Sequence, residues 1–386
     1  MPDESTKLSD VNMQTDRQTG RSSPAVRLRR FCRPMLRRHR RPIVSAWASI
    51  WTVCLIGSAA GQPAGGRSGG DTGSAVFWIA PAPSPDAEGQ TDATHWFAPG
   101  ILTRTGRIVQ LTDRRFEYQP AATPDPVQAD AAQADTGRPP ADTVVVSAGR
   151  VLWARPLAIG DSEKEAVDAF LDEQYDAALR KFVEAIEPRP PVWHQQWLSM
   201  AAAQAAGRAS RGSIAIELVR QLDRRPLPPM VLGWLPLTWA GRDGLRINQD
   251  DAKAASDDPS PLVRLVAASA LLRSDRTTAV ATLRTLAGLS DRPHVATLAA
   301  MQQLRTATPI RIREDHEKLL ARIESLPMAL QTGPLVMLAD KLSAAGAAPQ
   351  ARRLELSLSV VPIGPHPDVP GSLRALRRSD SPPTRP

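Results

Sequence analysis

The chain has 386 residues, 42% of them hydrophobic, with 36 prolines, 24 glycines and a formal net charge of +8. That hydrophobic content can bury a sizeable core, which excludes a wholly disordered chain, and the length suits two or three units. The basic balance does not indicate nucleic-acid binding: residues 1–60 hold eleven Lys and Arg against four Asp and Glu, a net of +7 that leaves +1 for the rest.

Eight arginines lie in "RLRRFCRPMLRRHRR" (27–41), directly before the uncharged run "PIVSAWASIWTVCLIGSAAG" (42–61). A basic region, an apolar run and the small residues Ser58 and Ala60 predict a secretory signal peptide cut near Ala60. The competing readings are an uncleaved signal anchor over 42–61, with the arginines on the cytoplasmic side, and a buried helix. The first two place the following residues outside the cytoplasm, in the periplasm or cell envelope of a bacterial-type cell. Cys32 and Cys54 both fall in this segment, so a processed chain would have no disulfide and no thiolate metal site.

Residues 61–95 read as a Gly/Pro/Ser linker, with "AVFWIA" inside it as a candidate first strand. Residues 96–155 predict a small β-rich module. Ile101 and Ile108 flank a Thr105-Gly106 turn, Phe116 and Tyr118 share one face, and "DTVVVSAGRVLWARP" suggests a second hairpin turning at Ala148-Gly149. A disordered insert is expected over 120–141. Four or five such strands would either close as a small barrel, Sm-like in rhythm, or form two hairpins packed on the helices that follow.

Helical patterns occupy 160–362, and the fold class expected is mainly α, a solenoid of helix-turn-helix pairs behind the β-rich module. Ser162 and Glu165 fit a capping box that would start the first helix near 163. After a break at "DEQ", Tyr175, Ala178, Leu179, Phe182 and Ile186 form one stripe that ends before Pro188. "VWHQQWLSMAAAQAAG" and "SIAIELVRQL" make a second pair, followed by a looser Pro/Trp-rich stretch. "PLVRLVAASALL" (261–272) aligns with "PHVATLAAMQQL" (293–304), Val263 over Val295, Ala267 over Ala299, Ala268 over Ala300 and Leu272 over Leu304. The segment 363–386 reads as a disordered tail.

Tyr175, Ala178, Phe182, Ala185 and Pro190 resemble the second-helix half of the tetratricopeptide repeat, a pattern of about 34 residues. The first helix departs from it, carrying Ser162, Glu165, Ala166 and Ala169 where large anchors would stand. The 261–304 pair is similar to a HEAT-type unit, and 333–362 returns to the tetratricopeptide rhythm with Ala339, Gly346 and Ala351 at small positions. This resemblance implies a binding surface for other proteins or envelope polymers, with Trp193 and Trp197 as candidate partner contacts on one helix face.

No catalytic pattern competes. Asp71 and Asp135 sit in Asp-Thr-Gly triplets, but in spacer sequence rather than at the end of an apolar strand. His316-Glu317 lacks a second histidine, since Leu320 takes its place, and His194 between two tryptophans reads as a core residue. No catalytic residue, cofactor or metal ligand is assigned. The expectation is an exported, non-catalytic scaffold or adaptor without nucleic-acid partners, touching membrane only through the N-terminal segment if uncleaved; the alternative is the helical accessory region of a cell-wall hydrolase.

Overall fold

A computed structural model describes residues 74–80, 102–121, 143–240, 245–360 and 365–369. The signal-like segment 1–60, Cys32, Cys54, Asp71, Asp135, most of the 61–95 linker and nearly all of the 120–141 insert lie outside these residues.

Five strands, β1 (Ser74–Ile79), β2 (Leu102–Leu111), β3 (Arg115–Pro120), β4 (Val144–Ser147) and β5 (Val151–Pro156), form one antiparallel sheet in the order β4-β3-β2-β1-β5. The apolar run inside the expected linker is therefore a central strand. Its inward residues Ala75, Phe77 and Ile79 are buried, and Phe77 meets Phe116 and Tyr118 of β3 at ring separations of 5.0 and 4.5 Å.

One turn and one hairpin expected from the sequence do not hold. Thr105-Gly106 lies inside β2, where Gly106 pairs with Pro120 and a side chain would collide with the Gln119 carbonyl. Glycine is needed there for close approach of two backbones rather than for a turn. Nor do β4 and β5 form a hairpin: they are the two edges of the sheet, joined by a single 3-10 turn, Ala148–Arg150. They do not pair with each other, so the sheet is open where closure into a barrel was one expectation. It is nonetheless curled. Four strand spacings in a flat sheet span about 19 Å, and the four peptide steps from Ser147 to Val151 reach at most about 14 Å.

Thirteen helices follow among the described residues. The first four are α1 (Asp161–Leu171), α2 (Tyr175–Glu184), α3 (Val192–Arg208) and α4 (Gly212–Leu222), each packed on the next. The α1 start differs from the expected capping box. Gly160 occupies the cap position, the Ser162 side chain makes no cap bond, and Glu165 instead pairs with Lys181 of α2 at 2.8 Å.

The α1–α2 and α3–α4 turns share one geometry. Glu173 (φ 60°) and Ser210 (φ 61°) take the left-handed conformation, and the next amide reaches back five residues, Gln174 to the Ala169 carbonyl (2.8 Å) and Arg211 to that of Ala206 (2.9 Å). That is the Schellman closure, which satisfies carbonyls orphaned at a helix end.

Short helices α5 (Pro229–Leu232) and α6 (Gln249–Ala254) lead to α7 (Pro261–Leu271), α8 (Arg276–Ala287) and α9 (Pro293–Gln303). The aligned pair α7 and α9 both begin on proline, and Val263, Val295, Ala267 and Ala299 are all buried. Buried Gln302 of α9 donates to the Thr238 carbonyl (3.1 Å) and accepts from Ser269 Oγ (3.1 Å), which itself accepts from the Thr238 amide (2.9 Å). The Pro/Trp-rich stretch before α6 is thereby fixed by both of its backbone polar groups at Thr238.

The chain continues through α10 (Pro309–Glu314), α11 (His316–Glu324), a 3-10 turn at Met328–Leu330, α12 (Thr332–Ala344) and α13 (Ala348–Val360). The α12–α13 turn repeats the earlier geometry, with Gly346 at φ 73° and Ala347 donating to the Leu342 carbonyl at 2.9 Å. No described helix is long and apolar enough to cross a membrane.

Candidate functional site

The repeat-like positions converge on an aromatic cluster. Ala178 and Phe182 of α2 are buried, while Tyr175 at its start and Ala185 and Pro190 beyond its end are partly exposed. Phe182 meets Trp197 of α3 nearly at right angles, 6.0 Å between centroids. Trp197 in turn meets Trp153 of β5 at 5.0 Å and Trp234, just after α5, at 5.5 Å. The cluster thus joins the sheet to the helices.

Trp193 and Trp197 are 6% and 1% exposed. Both candidate partner contacts are thus buried rather than presented at the surface, and Trp197 packs against β5 and the stretch after α5. Large aromatic surface is used internally here, as burial strongly favours.

Two charged arrangements sit against this cluster. In the first, Glu163 of α1 and His194 of α3, 5% and 3% exposed, meet with Oε2 and Nε2 2.9 Å apart. The imidazole stacks on Trp197 at 5.5 Å. A carboxylate–imidazole pair is the unit of general acid–base chemistry, but this one is enclosed. Its bond ties α1 to α3 over the intervening helix.

The second lies where α3 ends. Arg208 places its guanidinium carbon 5.6 Å from the Phe170 ring centroid and 5.8 Å from that of Tyr175. It reaches a turn beyond α13, Pro365–Val369, where Nη2 donates to Asp368 Oδ1 (2.6 Å) and to the Pro367 carbonyl (3.3 Å). Both charged side chains are buried. In the same turn the Asp368 amide donates to His366 Nδ1 (3.1 Å), and Val369 N–H donates to the His366 carbonyl (3.0 Å).

Burial, with the Arg208 charge beside it, holds the His366 imidazole down at about 3, a hydrogen bond with the Gly233 backbone acting the other way. Neutral imidazole suits the bond that Nδ1 accepts. Burial pushes the Asp368 carboxyl up, while Arg208 opposes it. Beside His366 is a cavity of about 10 Å³, walled by Trp153, Met230, Gly233, Trp234 and Thr332 among others. That is room for a single water.

No family model, curated protein or solved structure matches the chain. No cluster of His, Cys, Asp and Glu suited to a metal ion occurs among the described residues.

Sequence reasoning missed Glu163, Arg208, His366 and Asp368. Glu163 stands in a charged "SEKE" run that looks solvated, and its one signal was an α1 stripe that also contains Ala166, Val167 and Phe170. The segment 363–386 was expected to be disordered on its proline content, yet residues 365–369 pack against the core. A buried arginine 160 positions away decides their placement.

Proposed function

We propose that the chain is an exported, non-catalytic scaffold or adaptor that binds proteins or envelope polymers through the outer faces of its helix pairs. The observation that carries this reading is the recurrence of one turn. The α1–α2, α3–α4 and α12–α13 connections each use a left-handed residue closed by the same backbone bond. This recurrence supports a unit reused along the chain, as in tetratricopeptide arrays, and the common starts of α7 and α9 support a HEAT-like unit between the outer pairs. Stacked units of this kind build an extended solenoid surface that binds without a reactive centre.

The sheet fits the same reading as a small-barrel relative, Sm-like in strand rhythm. Its curl and the three-residue link between its edges support that kinship. Export rests on the sequence of residues 27–61, and membrane contact would come only from an uncleaved 42–61 segment. The reading requires no cofactor.

Photo-crosslinking residues placed one at a time in the full chain test it. Arg180 on α2, Glu217 on α4 and Lys318 on α11 are exposed, and Val145 on the edge strand β4 serves as comparator. Adducts to envelope proteins or polymers are expected at one or more helical positions and not at Val145. Adducts at Val145 alone would assign binding to the sheet and refute the reading.

A further inference from the structure

We propose that the slot formed by Arg208, Phe170 and Tyr175 is a binding site for a carboxylate-bearing peptide turn, filled in cis by the chain's own His366–Val369. The inference goes beyond the adaptor reading, since capture on the outer helical faces needs neither Arg208 nor Asp368.

The turn has the features of a docked ligand. It closes on itself through the His366–Val369 bridge, and beside the packing of its buried residues 365–367 it is held to the helices by directed polar contacts. Asp368 and the Pro367 carbonyl share one guanidinium nitrogen of Arg208. The pairing is one-pronged: Asp368 Oδ2 and Arg208 Nε are buried without hydrogen bonds among the described residues. A forked carboxylate–guanidinium pair would use both, so the resident aspartate leaves binding capacity unspent. The Phe170 and Tyr175 rings, themselves in edge contact at 5.3 Å, lie together on one side of the guanidinium and hold it by cation–π contact, which helps to preorganise the slot. Recognition of an acidic motif by a fixed arginine is an established way of holding a peptide.

Emptying the slot removes the carboxylate and carbonyl that Arg208 Nη2 holds, so a free turn offered in trans should enter. The full-length Asp368→Asn variant is titrated with a synthetic peptide of residues 362–371, followed by tryptophan fluorescence, since Trp234 walls the cavity beside His366. Saturable one-to-one binding is expected, at least tenfold tighter than to the unsubstituted chain, whose slot is already filled. The peptide carrying Asn in place of its aspartate, or addition of Arg208→Gln to the protein, should weaken it at least tenfold. Hydrogen exchange of the Asp368→Asn chain should show lost protection at residues 365–369 with the helices still protected. No binding by that chain, or binding indifferent to the carboxylate and to Arg208, overturns the proposal. Loss of protection throughout the helices also overturns it, because the turn would then be an inseparable part of the core.

Discussion

Trp153 of β5 and Trp197 of α3 meet edge to face, ring centroids 5.0 Å apart and planes at 78°. Through this contact the sheet and the helices share one hydrophobic interior, with Trp197 also touching Phe182 and Trp234. Trp197→Ala should cost about 3–5 kcal/mol, the range for emptying a large aromatic site. The sheet and helix signals should move together in chemical denaturation, monitored by exchange protection of β1 and of α3. Separate transitions in the unsubstituted chain would show two independent units.

The shared turn geometry predicts opposite effects at two positions. Ser210 is exposed and left-handed, so Ser210→Gly should stabilise by about 0.5–1 kcal/mol. Gly346→Ala should destabilise by about 1 kcal/mol, although a methyl there meets nothing within 4 Å. Denaturant midpoints check both.

Gln302 is fully buried and holds Thr238 and Ser269 at once. Gln302→Leu removes a donor and an acceptor and should cost about 2–4 kcal/mol, since the Thr238 carbonyl is left unpaired in the core. A melt no different from the parent's would contradict the network.

Much of the helical layout was legible in the sequence, because helix periodicity is local: the Ala178, Leu179 and Phe182 stripe and the paired starts at Pro261 and Pro293 appear where read. The sheet was less legible. Ala148-Gly149 does bend the chain, but no local signal says that the strands on either side join opposite edges, which depends on β1 pairing across a gap of more than seventy residues. Gly106 misled for a related reason, since the need for glycine comes from Gln119 on the neighbouring strand. The charged groups were least legible: Glu163 with His194 and Arg208 with Asp368 are pairings that only the packed helices bring together.

Acid should loosen the His366–Val369 turn. The imidazole is held at about 3 when docked, against 6.5 when free. The free state therefore takes up a proton that the docked state refuses, and stability contributed above pH 6.5 is lost as pH falls toward 3. The His366 contribution is on the order of 1 kcal/mol per pH unit across that window. Asp368 acts in the other direction, because its raised pKa favours proton uptake in the docked state. His366→Asn isolates the imidazole. Protection at residues 365–369, corrected for the slower intrinsic exchange of amides in acid, should fall between pH 6.5 and 5 by more in the unsubstituted chain than in the variant, and equal responses would remove His366 as the cause.

Binding without hydrolysis is tested by incubating the full chain with purified cell-wall polymer and with envelope protein and measuring retention and released products together. Retention of the chain on one of the two is expected with no soluble cleavage product, and no change in either quantity for Glu163→Gln that a matching loss of stability does not explain. Release of soluble fragments by the parent, abolished in a folded Glu163→Gln or His194→Asn variant, would contradict it and make that enclosed pair a catalytic one.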